Sequence, residues 1–374
     1  MDPADKERLR QRFSRSLKKY VGHDEQKQRK IASRHRRAEQ SDQGPRRRGD
    51  WSEDDETFEK IPKSAGSGAV TRQNHLDPDL PRATVVAVHH GRVALDTGEQ
   101  ARIAPHLALD PTLRLAVGDE VAVSSQSGQS RVEGIVERRS RLSRPDPGNP
   151  NHELVIAANV DVAVVVVSVS NPPLHVGLID RFLVALDRGG VEPLICVNKV
   201  DLLEGPVDRE QLQQKMAVYR DLSIPVLLCS TATGDSMGEL RQQLQGKTCV
   251  LVGHSGVGKS SILNTIDPAG ERQTGDVRDH DGKGRHTTSS SSLRSLGDGT
   301  RIIDTPGVRS FGLWQMDARE LQASFPEFDT DGDRCRFSNC SHLQEPDCAV
   351  REAAERGKLS KTRYESYLRI LESL

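Results

Sequence analysis

Hydrophobic and polar residues alternate in two different ways along the chain. Between about Arg82 and Arg139, short alternating runs are separated by Gly, Asp and Ser residues, which is typical of closely spaced strands joined by turns. The runs are Thr84–Val88, Arg92–Leu95, Glu120–Val123 and Val132–Val136. This pattern predicts a small β-barrel or β-sandwich. The Pro-, Gly- and Asn-rich segment Pro145–Pro150 that follows is interpreted as a linker.

Beyond Asp161 the pattern changes to continuous apolar runs separated by segments with helical spacing. Strands are predicted at Val162–Val169, Pro193–Val197, Pro225–Cys229, Thr248–Val252 and Arg301–Ile303. Helices are predicted between the first of these, at Gly177–Leu186 and Asp208–Arg220. Apolar strands joined by helical crossovers indicate an α/β domain whose parallel sheet is covered on both faces.

The two ends of the chain differ from these domains. Residues 1–78 are polar and rich in Arg and Lys, and we predict a basic, largely disordered extension because they contain too few large apolar residues to form a core. The C-terminal segment Ala349–Leu374 has helical spacing, and its apolar stripe is interpreted as a packing surface. The stripe consists of Tyr364, Tyr367, Leu368 and Leu371.

A phosphate-binding loop is predicted after the strand Thr248–Val252. The sequence from Gly253 to Ser260 matches the pattern G-x-x-x-x-G-K-[ST], and a helix is expected to follow from Ser261. In this pattern, backbone N–H groups surround the phosphates, Lys259 reaches the β- and γ-phosphates, and the Ser260 hydroxyl binds Mg²⁺. The predicted set is Gly253, His254, Ser255, Gly256, Val257, Gly258, Lys259, Ser260 and Ser261.

A second motif selects guanine over adenine. The residues Asn198, Lys199, Val200 and Asp201 close an apolar strand, where a carboxylate accepts hydrogen bonds from guanine that adenine cannot donate. The next strand ends in Ser230, Thr231 and Ala232, which fit a loop whose backbone N–H contacts guanine O6. Taken alone, the motif Asn198–Asp201 is also compatible with an ordinary strand end. An ATP-using P-loop enzyme such as a kinase is the alternative from another class.

The magnesium and γ-phosphate contacts are expected on two further segments. Asp304 ends a strand and is predicted to hold Mg²⁺ through water, while the Gly307 N–H contacts the γ-phosphate. Thr287 and Thr288 lie in a Gly- and Ser-rich loop, and either is a candidate Mg²⁺ ligand. The alternative is a flexible loop that contains threonines by coincidence.

The order of these motifs is unusual. In ordinary GTPases the P-loop comes first, whereas here the motif Asn198–Asp201 precedes Gly253–Ser260, which precedes Asp304. The same sheet forms when the chain is joined and reopened elsewhere, which is tolerated where the termini lie close together. We therefore predict a circularly permuted P-loop GTPase domain.

Three cysteines and a histidine lie close together near the C-terminus. They are Cys335, Cys340, His342 and Cys348. Three thiolates and one imidazole suit one tetrahedral structural Zn²⁺ with no open coordination position. The alternative, free thiols in a surface loop, is disfavoured because the segment has little apolar content with which to fold alone.

Composition and charge indicate the kind of partner and the cellular location of the protein. The net charge is −1 although the first fifty residues are strongly basic, which indicates an acidic partner such as nucleic acid or else a solvated tail. The longest apolar run, Val160–Val169, is too short to cross a bilayer, which takes about 20 residues, so no membrane association is expected. The remaining cysteines, Cys196, Cys229 and Cys249, lie singly in predicted strands, as expected of a cytoplasmic protein.

From about residue 82 to the end, the chain resembles the ribosome small-subunit-dependent GTPase A family. The resemblance rests on the β-barrel, the permuted motif order, the run Asp304–Trp314 and the Cys/His cluster. It implies an OB-fold that contacts ribosomal RNA, GTP hydrolysis stimulated by the small ribosomal subunit, and a role in late maturation of that subunit. The basic N-terminal extension lies outside the resemblance.

The resemblance also implies a catalytic residue. Val308 follows Asp304-Thr-Pro-Gly, where many GTPases carry a water-orienting glutamine, so slow intrinsic hydrolysis is expected. The family pattern points instead to the histidine of a Gly-x-His-Thr-Thr loop, which is His286. An RNA contact or a solvated loop residue are the other interpretations of this histidine.

Four parts are therefore predicted: the extension 1–78, an OB-fold-like barrel 79–145, the permuted GTPase domain 150–315 and a zinc-binding module with helices 316–374. The predicted function is a monomeric GTPase that binds GTP and GDP, the small ribosomal subunit and its rRNA. The alternative is a nucleotide-gated RNA-binding chaperone whose hydrolysis is incidental.

Overall fold

The computed structural model describes residues 76–89, 91–109, 113–126, 128–146, 149–267, 291–304, 313, 315–332 and 334–374. All of them belong to one compact unit. The basic extension up to residue 75 lies outside the described residues. Among the described residues, no helix combines the length and the apolar character needed to cross a membrane.

The first domain is a closed five-stranded barrel. Its strands are β1 (Arg82–His89), β2 (Arg92–Leu95), β3 (Gln100–Ile103), β4 (Glu120–Gln126) and β5 (Gln129–Ile135), with helix α1 (Pro105–Leu109) between β3 and β4. The strand order β1-β2-β3-β5-β4 is closed by pairing of β4 with β1. β3 and β5 are parallel, and the other neighbours are antiparallel. This arrangement confirms the predicted OB-like barrel.

The barrel interior explains why hydrophobic and polar residues alternate along its strands. Successive side chains point to opposite faces of a strand, and the inward ones form a core that excludes water. Val85, Val93, Ala101, Val121 and Val132 are fully buried in this core. Strand β3 was not among the predicted strands, because Ala101 is the only fully buried residue in a run that otherwise consists of Gln, Arg and a half-buried Ile.

The second domain contains a six-stranded sheet. Its strands are β8 (Val162–Ser168), β9 (Glu192–Asn198), β10 (Val226–Leu228), β11 (Thr248–Val252), β12 (Ser292–Ser295) and β13 (Arg301–Asp304). The order is β10-β9-β8-β11-β13-β12, with every pair parallel except β12 and β13. All five predicted strands are present within one or two residues. β12 was not predicted, because its sequence begins within a run of serines.

Helices cover both faces of this sheet, as predicted. They are α2 (Val176–Gly189), α3 (Pro206–Asp221), α4 (Met237–Leu244) and α5 (Lys259–Ile266), and a 3₁₀ turn spans Val200–Leu202. Strand β8 is buried along its whole length, and its alternate residues join two different cores. Val165 packs on the side of α2 and α3, whereas Val166 packs on the side of α4 and α5.

The predicted linker at Pro145–Pro150 is wrong. Strands β6 (Arg141–Asp146) and β7 (Asn149–Ala158) form an antiparallel hairpin in which Asp146 pairs with Asn149. Pro, Gly and Asn are typical of the connection between two hairpin strands as well as of a linker between domains, which explains the error. The barrel is joined to the large sheet by pairing of Ala87 in β1 with Ser292 in β12.

The C-terminal module is built around aromatic residues. It contains α6 (Ala318–Ala323), a 3₁₀ turn (Pro326–Phe328), α7 (Asp329–Gly332), α8 (Ala349–Glu355) and α9 (Lys361–Glu372). Phe325, Phe328, Tyr364 and Tyr367 are buried, and their rings contact one another at centroid distances of 5.1–6.4 Å. The predicted packing stripe of the C-terminal helix is therefore confirmed.

Buried polar contacts attach this module to the GTPase domain. Arg363 in α9 donates to Asp180 in α2 at 2.8 Å and to Glu327 at 2.7 Å, and its side chain is only 3% exposed. Ser324 donates to Asp187, the last acidic residue of α2, at 2.7 Å. Burial raises the pKa of the Asp187 carboxyl from 3.8 to about 6, and the Ser324 hydrogen bond offsets part of this effect.

We expect Asp187→Asn to stabilise the protein at neutral pH. A carboxyl with a raised folded-state pKa contributes its stability below pH 3.8 and loses it as the pH rises to about 6. The neutral amide still accepts from Ser324. The free energy of unfolding of the variant should therefore exceed that of the parent protein by about 1–2 kcal/mol above pH 6.5 and by little at pH 4. Urea unfolding at several pH values measures this difference, with Asp221→Asn at an exposed carboxylate as the control. An equal difference at both pH values would contradict the argument.

Candidate functional site

The predicted phosphate-binding loop lies between β11 and α5, at the carboxyl edge of the sheet. Its glycines Gly253, Gly256 and Gly258 have φ values of 144°, 85° and 98°, which L side chains rarely adopt. A Cβ atom on Gly253 would collide with the Val166 carbonyl, and one on Gly258 would collide with the Asn198 amide. The loop therefore has its observed path because three positions carry no side chain.

Lys259 is held over the start of this loop. Its Nζ donates to the carbonyls of Gly253 at 2.8 Å and His254 at 2.7 Å. The hydroxyl-bearing Ser260 and Ser261 follow on the exposed start of α5. A helix N-terminus, a lysine and exposed hydroxyls together form a site suited to phosphate and its counter-ion. His254 is exposed, and its ring Nδ1 lies 3.0 Å from the neighbouring Ser255 carbonyl.

The two predicted nucleotide motifs contact each other directly. Asn198, at the end of β9, is 1% exposed and donates through Nδ2 to the Val257 carbonyl at 2.9 Å. Lys199 donates to the carbonyls of Gly256 at 2.8 Å and Asn171 at 2.5 Å. The P-loop and the predicted guanine motif are 59 residues apart in sequence at the Asn198–Val257 contact, and the structure brings them into one site.

The predicted guanine-contacting segment Ser230–Ala232 is joined to the motif Asn198–Asp201 by a short hydrogen bond. Ser230 is buried after β10 and donates to Asp201 Oδ1 at 2.5 Å. The backbone N–H groups of Ala232 and Thr233 donate to the same serine hydroxyl, each at 3.2 Å. Asp201 remains exposed, so its carboxylate lies at the rim where a base can reach it. Val200 is buried beneath it, and Thr231 is half-buried.

Asp304 is the last residue of β13, the strand next to the P-loop strand. β13 is parallel to β11, with Ile303 paired with Val250. Asp304 is exposed at the same carboxyl edge as the P-loop. The remaining predicted site residues, His286, Thr287, Thr288 and Gly307, lie outside the described residues. Their roles stay predictions.

One segment of the site was missed by the sequence analysis. The loop after β8 places the Asn171 carbonyl against Lys199, and Pro172 Cδ lies 3.6 Å from the Cβ position of Gly256. Its location carried a signal, because β8 is the central strand and ligands bind beyond the carboxyl ends of such strands. The adjacent pair Pro172–Pro173 also marked a rigid loop.

The predicted zinc ligands form one cluster. The four ligand atoms of Cys335, Cys340, His342 and Cys348 all lie within 4.8 Å of one another. His342 Nδ1 is 3.7 Å from Cys335 Sγ and 3.4 Å from Cys348 Sγ, and these two sulfurs are 4.0 Å apart. Tetrahedral Zn²⁺ with about 2.3 Å bonds to sulfur gives ligand separations of roughly 3.8 Å, so this donor set fits the ion.

Surrounding groups orient the histidine of the cluster. Its second nitrogen, Nε2, lies 2.7 Å from the side-chain amide of Gln322, and its carbonyl accepts from the Tyr364 hydroxyl at 2.7 Å. Burial lowers the pKa of His342, which favours the neutral imidazole that binds metals. Gln322 and Tyr364 were not predicted as parts of the metal site, because neither lies close to the cluster in sequence.

Comparisons with known proteins agree on one family. The sequence model of the RsgA GTPase family matches residues 135–314. The chain is 42% identical over 265 residues to a "Small ribosomal subunit biogenesis GTPase RsgA" of Haemophilus influenzae, covering 70% of this chain and 75% of that protein. It is 37% identical over 309 residues to the protein of the same name from Actinobacillus pleuropneumoniae, covering 80% and 88%.

Two solved structures have a similar fold. The crystal structure of YjeQ from Thermotoga maritima has a TM-score of 0.63 and 32% identity, covering 78% of this chain and 98% of that one. The structure of YloQ, described as a circularly permuted GTPase, has a TM-score of 0.61 and 29% identity, covering 80% and 97%. The circular permutation inferred from the motif order is therefore confirmed.

We expect the purified protein to contain about one zinc ion per chain and Cys348→Ser to lose it. A structural metal binds only the folded state, so its loss should also lower the unfolding midpoint by about 5–10 °C. Elemental analysis after gel filtration and thermal unfolding measure the two effects. Cys249→Ala, at a buried cysteine outside the cluster, should retain the metal. Full zinc content in Cys348→Ser would contradict the assignment.

Proposed function

The chain belongs to the RsgA GTPase family, and on this basis we propose that it is a GTPase that acts on the small ribosomal subunit. It binds GTP, hydrolyses it to GDP and phosphate, and does so during late maturation of that subunit in the cytoplasm. The observation that carries the proposal is the direct contact between the P-loop and the guanine motif through Asn198 and Lys199. Because of this contact, phosphate binding and base selection occur in one site.

Different groups of the protein bind the phosphates and the base of the nucleotide. The N–H groups of the loop Gly253–Gly258 and the Lys259 amine bind the phosphates. The Asp201 carboxylate accepts from guanine, with the Ser230 hydroxyl fixing its orientation through the 2.5 Å hydrogen bond. The loop Ser230–Ala232 supplies a backbone N–H to the guanine carbonyl. The Lys199 stem lies along the base.

The donors available for Mg²⁺ are oxygen atoms, which this hard cation prefers. Ser260 is exposed in the first turn of α5, and Asp304 is exposed at the carboxyl end of β13, the strand next to the P-loop strand. This placement supports their assignment to the ion. Thr287 and Thr288 are the proposed ligands from the loop that precedes β12. The ion held by these residues would supply positive charge to offset the charge on the phosphates.

Hydrolysis requires a water molecule placed in line with the γ-phosphate. Val308 has no hydrogen-bonding group with which to orient it, so we assign that role to His286. An imidazole accepts a proton from water while the water oxygen attacks phosphorus, and the bond from phosphorus to the β-phosphate oxygen breaks. Ordering of the loop that carries His286 by ribosomal RNA would then accelerate the reaction.

The C-terminal module is the proposed link between nucleotide state and subunit binding. The segment after Asp304 leads directly into this module, so loss of the γ-phosphate contact at Gly307 would alter the attachment of the module. The contact of Arg363 with Asp180 supports this route, because it joins the module to the helix that follows the central strand β8. We propose that the protein acts as a monomer on its ribosomal partner.

The alternative function is that of a nucleotide-gated RNA-binding chaperone whose GTP hydrolysis is incidental. It would use the same site for GTP. The two proposals differ in whether hydrolysis is accelerated by the bound subunit through a specific residue.

The discriminating experiment compares GTP hydrolysis with and without small ribosomal subunits. We expect slow basal turnover that rises at least tenfold with subunits, and His286→Ala should lose this increase while still binding GTP and subunits. His152→Ala, at an exposed histidine of β7 outside the predicted nucleotide site, is the matched control and should retain the stimulation. Stimulation that survives in His286→Ala would remove the catalytic role of that residue, and its absence in the parent protein would favour the chaperone.

Asp201→Asn should change which base is bound. The amide donates where the carboxylate accepted, so GTP affinity should fall on the order of 100-fold and xanthosine triphosphate, which carries an acceptor at the same place, should bind more tightly. Equilibrium titration with both nucleotides measures this reversal. ATP affinity serves as the control and should stay low in both proteins. An unchanged GTP affinity would favour an ATP-using P-loop enzyme.

A further inference from the structure

A cavity of about 360 Å³ lies between the start of α2 and the middle of α9. Its lining residues are Leu174, His175, Val176, Gly177, Leu178, Arg181, Ser366, Arg369 and Ile370. Among these described residues, none belongs to the predicted nucleotide or zinc sites. The cavity is therefore a separate feature of the junction between the GTPase domain and the C-terminal module.

One wall of the cavity is a helix N-terminus without a side-chain cap. The 14-residue helix α2 has His175 at its N-cap position, and this side chain makes no capping hydrogen bond. Within the described parts of the chain, no acceptor is found for the backbone N–H groups of Val176 and Gly177. Such a terminus carries a partial positive charge and free donors, which together attract an anion.

A buried serine faces this terminus from the opposite helix. Ser366 is 1% exposed, and its hydroxyl has no hydrogen-bond partner within the described residues. The hydroxyl oxygen lies 3.5 Å from the position that a Cβ atom on Gly177 would occupy. A buried hydroxyl without a partner is costly, so a ligand that supplies an acceptor here would remove that cost.

The register between the two helices is set by the Arg363–Asp180 ion pair at 2.8 Å. Ser366 lies three residues after Arg363, and Gly177 lies three residues before Asp180, which is one helical turn in each case. Residues one turn apart lie on the same face of a helix. The ion pair therefore holds the serine opposite the open N-terminus.

Two arginines complete the site. Arg369 Nη1 lies 4.0 Å from the same Cβ position on Gly177, and Arg181 extends from the second turn of α2. The Glu365 carboxylate is 3.9 Å from Arg369 Nη2, and Arg181 donates to the Ser373 hydroxyl at 3.1 Å. Two guanidinium groups and one carboxylate leave a net positive charge beside the helix terminus.

The size and lining of the cavity limit what it can hold. Leu174, Val176, Leu178 and Ile370 provide apolar walls that reduce competition from water. No Phe, Tyr or Trp occurs among the described lining residues, so there is no platform on which a nucleobase would stack. The cavity suits a compact anion with several acceptor oxygens.

We propose that this cavity is a second anion-binding site that takes a phosphate group. The phosphate oxygens accept from the N–H groups of Val176 and Gly177, from the Ser366 hydroxyl and from the guanidinium groups of Arg181 and Arg369. Arginine and helix N-termini are the usual partners of phosphate in proteins. The phosphate group belongs either to an RNA backbone or to free inorganic phosphate, and the experiment distinguishes these sources.

The first measurement is inorganic phosphate binding by the full chain with GDP bound, so that the nucleotide site is filled. Isothermal titration at constant ionic strength compares the parent protein with Gly177→Ala and Arg181→Gln. An alanine Cβ at position 177 makes an ordinary 3.5 Å contact with Ser366 and occupies the space in front of the N–H groups, and alanine favours the helix. We expect each variant to weaken phosphate binding at least tenfold. Lys361→Gln removes the same charge from an exposed position of α9 outside the cavity and should have no effect.

The second measurement is binding of the same proteins to small ribosomal subunits with a non-hydrolysable GTP analogue. Weaker subunit binding by Gly177→Ala and Arg181→Gln, but not by Lys361→Gln, identifies an RNA backbone as the source of the phosphate. Weaker phosphate binding with unchanged subunit binding identifies free phosphate. If neither measurement separates the two cavity variants from Lys361→Gln, the proposal is overturned. Because the cavity variants leave every predicted nucleotide residue unchanged, this outcome is independent of whether the protein hydrolyses GTP.

Discussion

The close approach of the P-loop backbone to β8 and β9 is the constraint on which the nucleotide site depends. Gly253 lies against the Val166 carbonyl, and Gly258 lies against the Asn198 amide, with no room for a side chain at either position. Only because these positions are glycine does Asn198 reach the Val257 carbonyl. The distance between the predicted phosphate-binding loop and Asp201, the proposed base-selecting carboxylate, follows from that packing, which brings two motifs far apart in sequence together.

Circular permutation changes the connections of this sheet but leaves its packing intact. The P-loop strand β11 still lies between β8 and β13, and the guanine motif still ends the strand next to β8. What the permutation adds is a chain that leaves the sheet after Asp304 and continues into the C-terminal module. The module returns to the GTPase domain through α9, where Arg363 is enclosed by Asp180, Glu327 and the Phe325 ring, 4.4 Å from the guanidinium carbon. A buried ion pair of this kind adds little net stability, because the desolvation of both charges offsets their attraction.

The C-terminal module illustrates how a small unit becomes stable. Its aromatic residues supply a core, but the segment between Gly332 and Cys348 contains few apolar side chains. The Cys335–Cys348 ligand cluster lies against that core, and the Tyr364 and Tyr367 hydroxyls donate to carbonyls of the ligand loop. The ligand cluster, the aromatic packing and the tyrosine hydrogen bonds thus depend on one another. This dependence also holds α9, and with it Ser366, against the start of α2.

The sequence by itself determined the fold classes, the order of the motifs, and the groups of residues predicted to bind phosphate and metal. Local periodicity predicted most strands of the barrel and the sheet, and the glycine spacing of the P-loop and the clustered cysteines were recognisable because their chemistry requires residues close together in sequence. It did not predict β3, β12 or the β6–β7 hairpin, whose residues carry a weak apolar pattern or resemble a linker. Only the tertiary structure decided that Lys199 contacts Asn171, that Arg363 pairs with Asp180 across 183 residues, and that Ser366 faces Gly177. The physical reason is that hydrophobic periodicity records which face of an element is buried, whereas the partner of each buried polar group is chosen by packing between elements distant in the chain.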